Sequence, residues 1–252
     1  MDLQIKGRRA VVTGASKGLG RTLALELARE GCLVAAVARS AELLETLRRE
    51  LEAFGPGHAV FPCDLMAEGA AAALAGSLID SWGEPEIVVH NLGGSLGVTA
   101  PLADGADYGK VWQLNVGIPV ELNKAFIPRL EQRGFGRVIH ISSVSAENYS
   151  GYSAYVAAKV GLNGYVKTLA RATAKSGVIV SAVEPGPLFA EGRYLAKLQT
   201  EKSPKWDEFC EHHLAIGRLA QPTEIAPFVL LLASPIASYA AGTIVNVDGG
   251  SR

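Results

Sequence analysis

The sequence predicts a single doubly wound α/β domain, whose sheet has seven, mostly parallel strands and helices on both faces. Short apolar runs rich in Val, Ile and Ala alternate with longer amphipathic stretches along the chain, a succession typical of right-handed βαβ units. Several short runs are almost continuously apolar, as strands buried on both faces usually are. With 252 residues, of which 48% are hydrophobic, the chain has the size and apolar content of one large domain over residues 1–252.

Each element rests on a local pattern. The apolar runs predict strands at residues 10–13, 33–38, 59–61, 87–89, 138–141, 178–183 and 243–247. The stretches between them predict helices at residues 19–30, 41–54, 67–82, 108–133, 154–175 and 223–233. The first predicted helix has Leu and Ala residues at helical spacing on one face. The second has leucines on one face and charged residues on the opposite face, and the third is rich in alanine. A long segment of mixed polarity has no strand pattern, so we expect an irregular substrate lid at about residues 187–216.

The composition excludes several functional classes. The formal net charge is −1, which predicts neither a nucleic-acid partner nor a membrane partner. Three widely spaced cysteines fit neither a disulfide framework nor a zinc site, and no metal is expected. The first residues lack the apolar core of a signal peptide, and no apolar run is long enough to cross a bilayer. We therefore expect a cytoplasmic protein.

A glycine-rich turn, TGASKGLG at residues 13–20, follows the first predicted strand and opens the first helix. Glycines permit a sharp turn, and the backbone N–H groups at a helix N-terminus can then approach a phosphate. The spacing G-x-x-x-G-x-G differs from the commoner dinucleotide fingerprint. Its place between strand and helix nevertheless favours a nucleotide site over a plain turn.

Basic residues near this turn predict NADP(H) as the cofactor. Dinucleotide folds usually place an acidic residue at the end of the second strand, where it binds the free ribose 2′-hydroxyl. This chain has Arg39 there, about 20 residues beyond the last glycine of the turn, and Lys17 adds a positive charge within the turn. A cation at this place accommodates a 2′-phosphate. We therefore expect NADP(H) over NAD(H), the alternative being two solvated surface cations.

Tyr155 and Lys159 are four residues apart, so they share one face of a predicted helix. An ammonium beside a phenol favours the phenolate, and the pair is expected to lower the tyrosine pKa toward the range useful for proton transfer. The paired serines Ser142 and Ser143 precede it and could hold a substrate carbonyl or alcohol. A Tyr and a Lys often occur at this spacing by chance, so the pair alone is weak evidence for a catalytic site. The glycine-rich turn at the N-terminus strengthens that evidence.

These motifs resemble those of the short-chain dehydrogenase/reductase family, and the likeness covers essentially the whole chain. Residues 13–20 are similar to the family's TGxxxGxG. Residues 90–93 (HNLG) resemble its NNAG segment, from which His90 and Leu92 depart. Residues 141–143 (ISS) and the Tyr155-x-x-x-Lys159 spacing match its catalytic motif. Further matches are Cys63-Asp64-Leu65, residues 113–116 (QLNV), Pro185-Gly186 and residues 247–250 (VDGG).

The resemblance implies a Rossmann fold and an NADP(H)-dependent oxidoreductase acting on a carbonyl/alcohol pair. Tyr155 would be the general acid in reduction and the base in oxidation. Lys159 would lower its pKa and hold the nicotinamide ribose, Asn115 would complete a proton relay, and a serine would hydrogen-bond the reacting oxygen. The implied cofactor-binding residues are Gly14, Ser16, Lys17, Gly18, Leu19, Gly20, Arg39, Asp64, Leu65, Asn91, Gly93, Tyr155, Lys159, Pro185, Gly186 and Leu188.

The identity of the serine stays open between two neighbours. Members of the family usually use the second serine of the pair, here Ser143, yet Ser142 has their usual spacing of 13 residues from Tyr155. A one-residue deletion in the loop would leave Ser143 at the strand end, and neighbouring strand residues point to opposite faces. We therefore favour Ser143, with Ser142 as the alternative. Glu184 stands before Pro185, where a small or amide residue is commoner, and is either a solvated strand-end carboxylate or part of the site.

Several functional alternatives stay open. The substrate could be a 3-oxoacyl thioester, a sugar-like or polyol ketone, or a xenobiotic carbonyl. A non-catalytic NADPH-binding sensor or regulator on the same fold is the alternative outside the enzyme class. Family members assemble through the two long helices, so a homotetramer or homodimer is expected. Four residues of the insert are expected to face a polar substrate: Glu191, Arg193, Tyr194 and Trp206.

Overall fold

A computed structural model describes residues 1–251, in which a seven-stranded parallel sheet has the order β3-β2-β1-β4-β5-β6-β7. The strands are β1 (Arg9–Thr13), β2 (Leu33–Ala38), β3 (Ala59–Pro62), β4 (Ile87–His90), β5 (Gly136–Ile141), β6 (Val178–Pro185) and β7 (Ile244–Val247). β1 pairs with β2 on one side and β4 on the other. Connections therefore leave the β1–β4 junction in opposite directions, and ligands of such sheets bind in the crevice at that junction.

Helices cover both faces of the sheet. They are α1 (Gly18–Arg29), α2 (Ala41–Glu52), α3 (Ala70–Ser81), α4 (Gly105–Trp112), α5 (Ile118–Arg133), α6 (Ser145–Asn148), α7 (Ser153–Thr173), α8 (Tyr194–Thr200), α9 (Pro204–His213) and α10 (Pro222–Ala233). Successive strand residues point to opposite faces. Val12 packs in the core under α1, α2 and α10, and Val11 packs in the core under α3, α5 and α7. Full burial of each such side chain contributes about 1.5–3 kcal/mol.

The predicted fold class and all seven strands are confirmed, with strand ends shifted by one or two residues. Two helix predictions need correction. The helix predicted over residues 108–133 is broken by a π-helical turn, Gln113–Gly117, between α4 and α5. The helix predicted from residue 67 begins at Ala70, because Gly69 adopts a left-handed φ of 71°.

The insert predicted to be irregular contains two helices, α8 and α9. Ser203 caps α9 by accepting a hydrogen bond from the Lys205 N–H at 3.3 Å, and Pro204 occupies its first position, both strong helix-start signals. A small apolar cluster holds the two helices together; it consists of Ala196, Leu198, Trp206, Leu214 and Leu219. The expectation that Trp206 faces a substrate is wrong, because its ring is buried in this cluster. Across residues 1–251, no helix has the length and apolarity to span a membrane.

Candidate active site

The turn between β1 and α1 has the backbone of a phosphate-binding loop. Gly14 and Gly18 have φ angles of 67° and 53°, a conformation that favours glycine. At Gly20, a Cβ atom would collide with the Gly14 carbonyl oxygen and with the side-chain nitrogen of Asn91. These glycines leave the N-terminal end of α1 open to an anion, whose charge the helix dipole favours.

Two polar residues hold this turn against β4. The Thr13 hydroxyl accepts hydrogen bonds from the backbone N–H groups of Asn91 and Leu92, each at 3.1 Å. The Asn91 side chain donates to the carbonyl oxygens of Thr13 at 3.0 Å and Gly14 at 3.2 Å. Asn91 therefore fixes the shape of the turn, and its direct contact with a cofactor stays a prediction.

A cleft of about 860 Å³ opens at the carboxyl ends of β1, β2 and β4, a size typical of small-molecule sites. Seven of the predicted cofactor residues line it: Gly14, Ser16, Lys17, Arg39, Asp64, Leu65 and Gly93. Its wall also contains residues that the sequence did not assign to the cofactor, among them Leu43, Cys63, Met66, Leu92, Ser95, Leu96 and Leu114. The cleft therefore gathers the glycine turn and the end of β2 around one volume.

Three exposed cations line this cleft: Lys17, Arg39 and Arg193. Within residues 1–251, none of the three forms an ion pair. Asp64 is the one carboxylate in the wall of the cleft as described, and its Oδ1 accepts the Met66 N–H at 3.1 Å. The excess of positive charge suits a ligand that carries several phosphate charges.

Arg193 lines the cleft, although the sequence predicted that it faces the substrate. It is the N-terminal cap residue of α8, and the insert brings it to the wall that Lys17 also lines. Its place depends on the helices of the insert, which lacked a recognised periodic pattern in the sequence. The capping signal at Ser203-Pro204 could have revealed α9, but α8 has no comparable signal.

Other predicted cofactor residues lie beside the cleft rather than in its wall. Leu19 is buried in the core under α1, and Leu188 packs against the same core while pairing with Ala220. A Cβ at Gly186 would lie 2.6 Å from the Asp248 carbonyl oxygen, so close packing against the segment after β7 requires this glycine. The Pro185 carbonyl oxygen accepts the N–H of Val144. The Leu19 side chain is therefore turned into the core, whereas the half-buried Leu188 keeps part of its side chain exposed.

Asn115 lies buried in the π-helical turn, an element that is frequent at functional sites. Its side-chain amide donates to the carbonyl oxygens of Gly94 and Val111, each at 2.8 Å, and its Oδ1 accepts the Gly94 N–H at 3.0 Å. A Cβ at Gly93 would lie 2.7 Å from Asn115 Oδ1 and 3.1 Å from Lys159 Nζ. Because Gly93 has no side chain, the backbone that lines the cleft lies close to the side chains of Asn115 and Lys159.

Lys159 is buried on α7, and its ammonium donates to the Ile141 carbonyl oxygen at 2.8 Å. Burial lowers the pKa of Lys159 to about 7, and the nearby Glu184 carboxylate acts to raise it. The Nζ atom lies 5.6 Å from the centre of the Tyr155 ring. A lysine with a pKa near neutrality can take up or release a proton at neutral pH.

The Tyr155 phenol is hydrogen-bonded to Ser143 beyond the end of β5. Burial raises the pKa of Tyr155, and the hydrogen bond to Ser143 acts to lower it. The expectation that Lys159 lowers this pKa below its usual value is not met, because desolvation dominates and the ammonium is directed to the Ile141 carbonyl. The phenol is protonated at neutral pH, as a general acid must be.

The two serines have different environments. Ser143 is half-buried, is hydrogen-bonded to Tyr155, and accepts the Ser145 N–H at 3.2 Å. Ser142 is fully buried and donates to Asn163 Oδ1 at 2.8 Å. Only the Ser143 hydroxyl adjoins the phenol, so the geometry favours Ser143 as the group that meets a substrate.

Comparison with known proteins agrees with this geometry. The family model described as Enoyl-(Acyl carrier protein) reductase matches residues 14–252. The chain is 33% identical over 250 residues to 3-oxoacyl-(acyl-carrier-protein) reductase FabG of Pseudomonas aeruginosa, and the match covers 98% of each protein. Among solved structures, L-sorbose reductase from Gluconobacter frateurii, complexed with NADPH and L-sorbose, has a TM-score of 0.91 at 29% identity, covering 99% of this chain and 98% of that one.

A 7α-hydroxysteroid dehydrogenase complexed with NADH and 7-oxo glycochenodeoxycholic acid has a TM-score of 0.89 at 29% identity, covering 99% of this chain and 96% of that one. The chain is also 29% identical over 251 residues to the 7α-hydroxysteroid dehydrogenase of Escherichia coli, and the match covers 99% of this chain and 96% of that protein. These relatives are oxidoreductases, and they lend no support to the alternative of a binding protein without turnover. The matched family model, the shared fold and the cleft between β1 and β4 all lead to the same assignment: the chain belongs to the short-chain dehydrogenase/reductase family and is an oxidoreductase of that family.

Proposed function

We propose that this enzyme transfers a hydride between NADP(H) and a carbonyl/alcohol pair. The observation that carries the choice of NADP(H) is the pair of unpaired cations, Lys17 and Arg39, in the wall of a cleft where β2 ends without a carboxylate. A 2′-phosphate is recognised by cations at this place, whereas a free 2′-hydroxyl is recognised by an acid. The relatives include proteins described with NADPH and with NADH, so the proposal of NADP(H) rests on the charge of this chain's own cleft.

The proposed dinucleotide would contact residues in the wall of the cleft and others that lie beside it. Backbone N–H groups of the turn at Gly14 and Ser16 would hold the pyrophosphate at the N-terminal end of α1. Arg39 and Lys17 would bind the 2′-phosphate, and Asp64 would accept a hydrogen bond from the adenine amino group. The remaining proposed contacts are those of Gly18, Leu19, Gly20, Leu65, Asn91, Gly93, Pro185, Gly186 and Leu188.

When bound, the nicotinamide supplies or accepts the hydride. In the reductive direction, Tyr155 would donate its phenolic proton to the carbonyl oxygen of the substrate. Ser143 would donate a hydrogen bond to the same oxygen and stabilise the negative charge that develops there. Lys159 would bind the ribose hydroxyls and return a proton to Tyr155, and Asn115 would hold the last member of the relay. The protonated phenol at neutral pH is the form that donates a proton in the reductive direction.

The substrate class proposed is a 3-oxoacyl, sugar or polyol ketone. The first alternative rests on similarity to a 3-oxoacyl-(acyl-carrier-protein) reductase. The second rests on similarity to a reductase complexed with L-sorbose and on exposed tyrosines near the cleft. Tyr149 and Tyr152 lie between Ser143 and Tyr155, and Tyr194 follows the cleft residue Arg193. Amphipathic rings that expose a hydroxyl suit a polar substrate better than a long apolar one.

Cofactor choice is tested with Arg39→Asp. Loss of a charge-assisted hydrogen bond costs about 1.5–3 kcal/mol, and the new carboxylate repels the phosphate, so the Kd for NADPH should rise about 100-fold or more. The Kd for NADH should stay within about threefold. Fluorescence titration measures both, and Lys175→Asp, which reverses an exposed charge two residues beyond the end of α7, is the matched control. Equal losses for the two cofactors would refute the assignment.

Substrate class is tested by NADPH depletion over sugar ketones, 3-oxoacyl thioesters and aromatic ketones.

We infer assembly as a homotetramer or homodimer through α5 and α7, on the strength of their lengths of 16 and 21 residues and of the exposed Val160 on α7. Light scattering should then give a multiple of 26.4 kDa, and a monomer would contradict the inference. Cytoplasmic location stays a prediction.

A further inference from the structure

Glu184 is the next-to-last residue of β6 and is only 2% exposed. Across residues 1–251, it is the one acidic side chain that is fully buried. A buried carboxylate is costly unless it is hydrogen-bonded and its charge is balanced. The solvated strand-end carboxylate that the sequence allowed is therefore excluded, and Glu184 needs a partner inside the protein.

Two neutral side chains hold the Glu184 carboxylate in place. Asn163 Nδ2 donates to Glu184 Oε1 at 2.5 Å, and the Ser142 hydroxyl donates to Asn163 Oδ1 at 2.8 Å and acts to lower the pKa of Glu184. Asn163 lies four residues after Lys159 on α7, so the two share one face of the helix. Ser142 is adjacent both to Ser143 and to Ile141, whose carbonyl oxygen accepts the Lys159 ammonium. The hydrogen-bonded trio therefore joins the ends of β5 and β6 to α7 directly behind the proposed proton-transfer groups.

The balance of charge around Glu184 points to Lys159. Glu147 on α6 and Asp248 after β7 are the other charged groups that act on Glu184, and both are negative. Lys159 on α7 is the positive group with which Glu184 interacts across the site, although the two form no direct ion pair. The further titratable groups that face Lys159 are His140 on β5 and Tyr155 on its own helix, and both are neutral at pH 7. Burial raises the pKa of Glu184, the hydrogen bond from Asn163 acts to lower it, and Glu147 and Asp248 raise it further. In its ionised form, Glu184 supplies the negative charge that favours the protonated lysine.

We propose that Glu184 is a positioning residue of the hydride-transfer site, a buried carboxylate whose charge favours the protonated form of Lys159 while Asn163 and Ser142 fix its place. The catalytic consequence rests on the proposed function. A neutral Lys159 would bind ribose hydroxyls less well and could not return a proton to Tyr155. Glu184 therefore extends the working range of the enzyme upward in pH.

The test is Glu184→Gln, which keeps the size of the side chain and an oxygen that accepts from Asn163 but removes the charge. The pKa of Lys159 is measured by competitive acetylation and mass spectrometry of its peptide from about pH 5 to about pH 10, a readout independent of activity. We expect the pKa to fall by about one unit, as when one nearby opposite charge is lost. The alkaline limb of the pH profile of kcat should shift down by the same amount.

Glu147→Gln is the matched control, because it removes an exposed carboxylate from the same end of the sheet. It should shift the pKa of Lys159 by less than about 0.3 unit, since exposed charges are strongly screened. Glu184→Asn and Glu184→Asp form a second pair of variants that differ in charge but not in size. They test the role of the charge if Glu184→Gln does not fold. The Asp variant should keep the pKa of Lys159 higher than the Asn variant does.

An unchanged pKa of Lys159 in Glu184→Gln, or equal values in the Asn and Asp variants, would overturn the proposal and leave Glu184 as a structural carboxylate. If the pKa of Lys159 shifts in Glu184→Gln but the wild-type protein turns over no carbonyl or alcohol, the charge interaction is supported and the proposed function is refuted. The two failures are therefore distinguishable.

Discussion

Replacing Ser143 with alanine separates catalysis from stability. The hydroxyl is hydrogen-bonded to the Tyr155 phenol, and its one backbone contact to the fold is the Ser145 N–H at 3.2 Å. Loss of that contact should cost about 0.5–1.5 kcal/mol of unfolding free energy. Loss of a donor to the developing oxyanion typically costs about 2.7–4 kcal/mol of transition-state stabilisation. At about 1.4 kcal/mol per factor of ten, kcat should fall about 100- to 1000-fold.

Ser142→Ala is the matched control, since it removes the same atom one residue away. Its hydroxyl is buried and donates to Asn163 at 2.8 Å. Leaving that buried acceptor without its donor should cost about 1–3 kcal/mol of unfolding free energy. In a chain of this size, Tm should fall by about 2–4 °C for each kcal/mol, whereas kcat should stay within about tenfold of the wild type because Ser143 still adjoins Tyr155.

The assay pairs steady-state NADPH oxidation, at a saturating concentration of the best ketone from the substrate panel, with thermal unfolding of the same samples. The expected pattern is a large loss of kcat at nearly constant Tm for Ser143→Ala, and the reverse for Ser142→Ala. A Ser142→Ala enzyme with crippled turnover beside an active Ser143→Ala enzyme would refute the geometric choice between the two serines.

Two further predictions concern the walls of the site. Gly93→Ala places a Cβ 2.7 Å from Asn115 Oδ1 and 3.1 Å from Lys159 Nζ, so it should lower kcat at least about tenfold in the same assay. The control is Gly76→Ala in α3, where the added Cβ meets open space. This variant should leave kcat unchanged and stabilise the fold by about 0.5–1 kcal/mol. A fully active Gly93→Ala enzyme would contradict the close approach. Burial lowers the pKa of His90 to about 4 from 6.5, so the unfolded chain binds more protons and stability should be lost as pH falls from 6.5 toward 4, by at most about 1.4 kcal/mol per pH unit for this histidine. Urea unfolding of His90→Asn should show a flatter pH dependence, and an unchanged slope would argue against a buried neutral imidazole.

The sheet was predictable because its strands are almost continuously apolar. The run 33–38, for example, matches β2 from end to end. The cofactor end was also accessible, since Gly14, Lys17 and Arg39 are close in sequence to strand ends that the parallel order brings together. Strand ends and tight turns are local, so local patterns find them.

The parts that escaped prediction depend on contacts between distant segments. The π-helical turn at Asn115 is held by Gly94, which is 21 residues away in the sequence. The burial of Glu184 follows from Asn163 and Ser142, which belong to two other elements. The raised pKa of Tyr155 likewise arises from desolvation by the assembled fold, whereas the sequence offered only the neighbouring lysine.

The small apolar cluster of the insert has a consequence for engineering. Trp206 and Leu198 pack with each other's helices rather than with the two cores that cover the sheet. The pairing of Leu188 with Ala220 closes the base of the insert, and the insert also joins the segment after β7, where Ile216 N–H donates to the Gly249 carbonyl oxygen at 3.0 Å and Leu214 pairs with Ser251. We therefore expect residues 187–220, transplanted between members of the family, to carry the packing of this cluster along, while the contacts of residues 214–216 with the segment after β7 must be matched in the recipient.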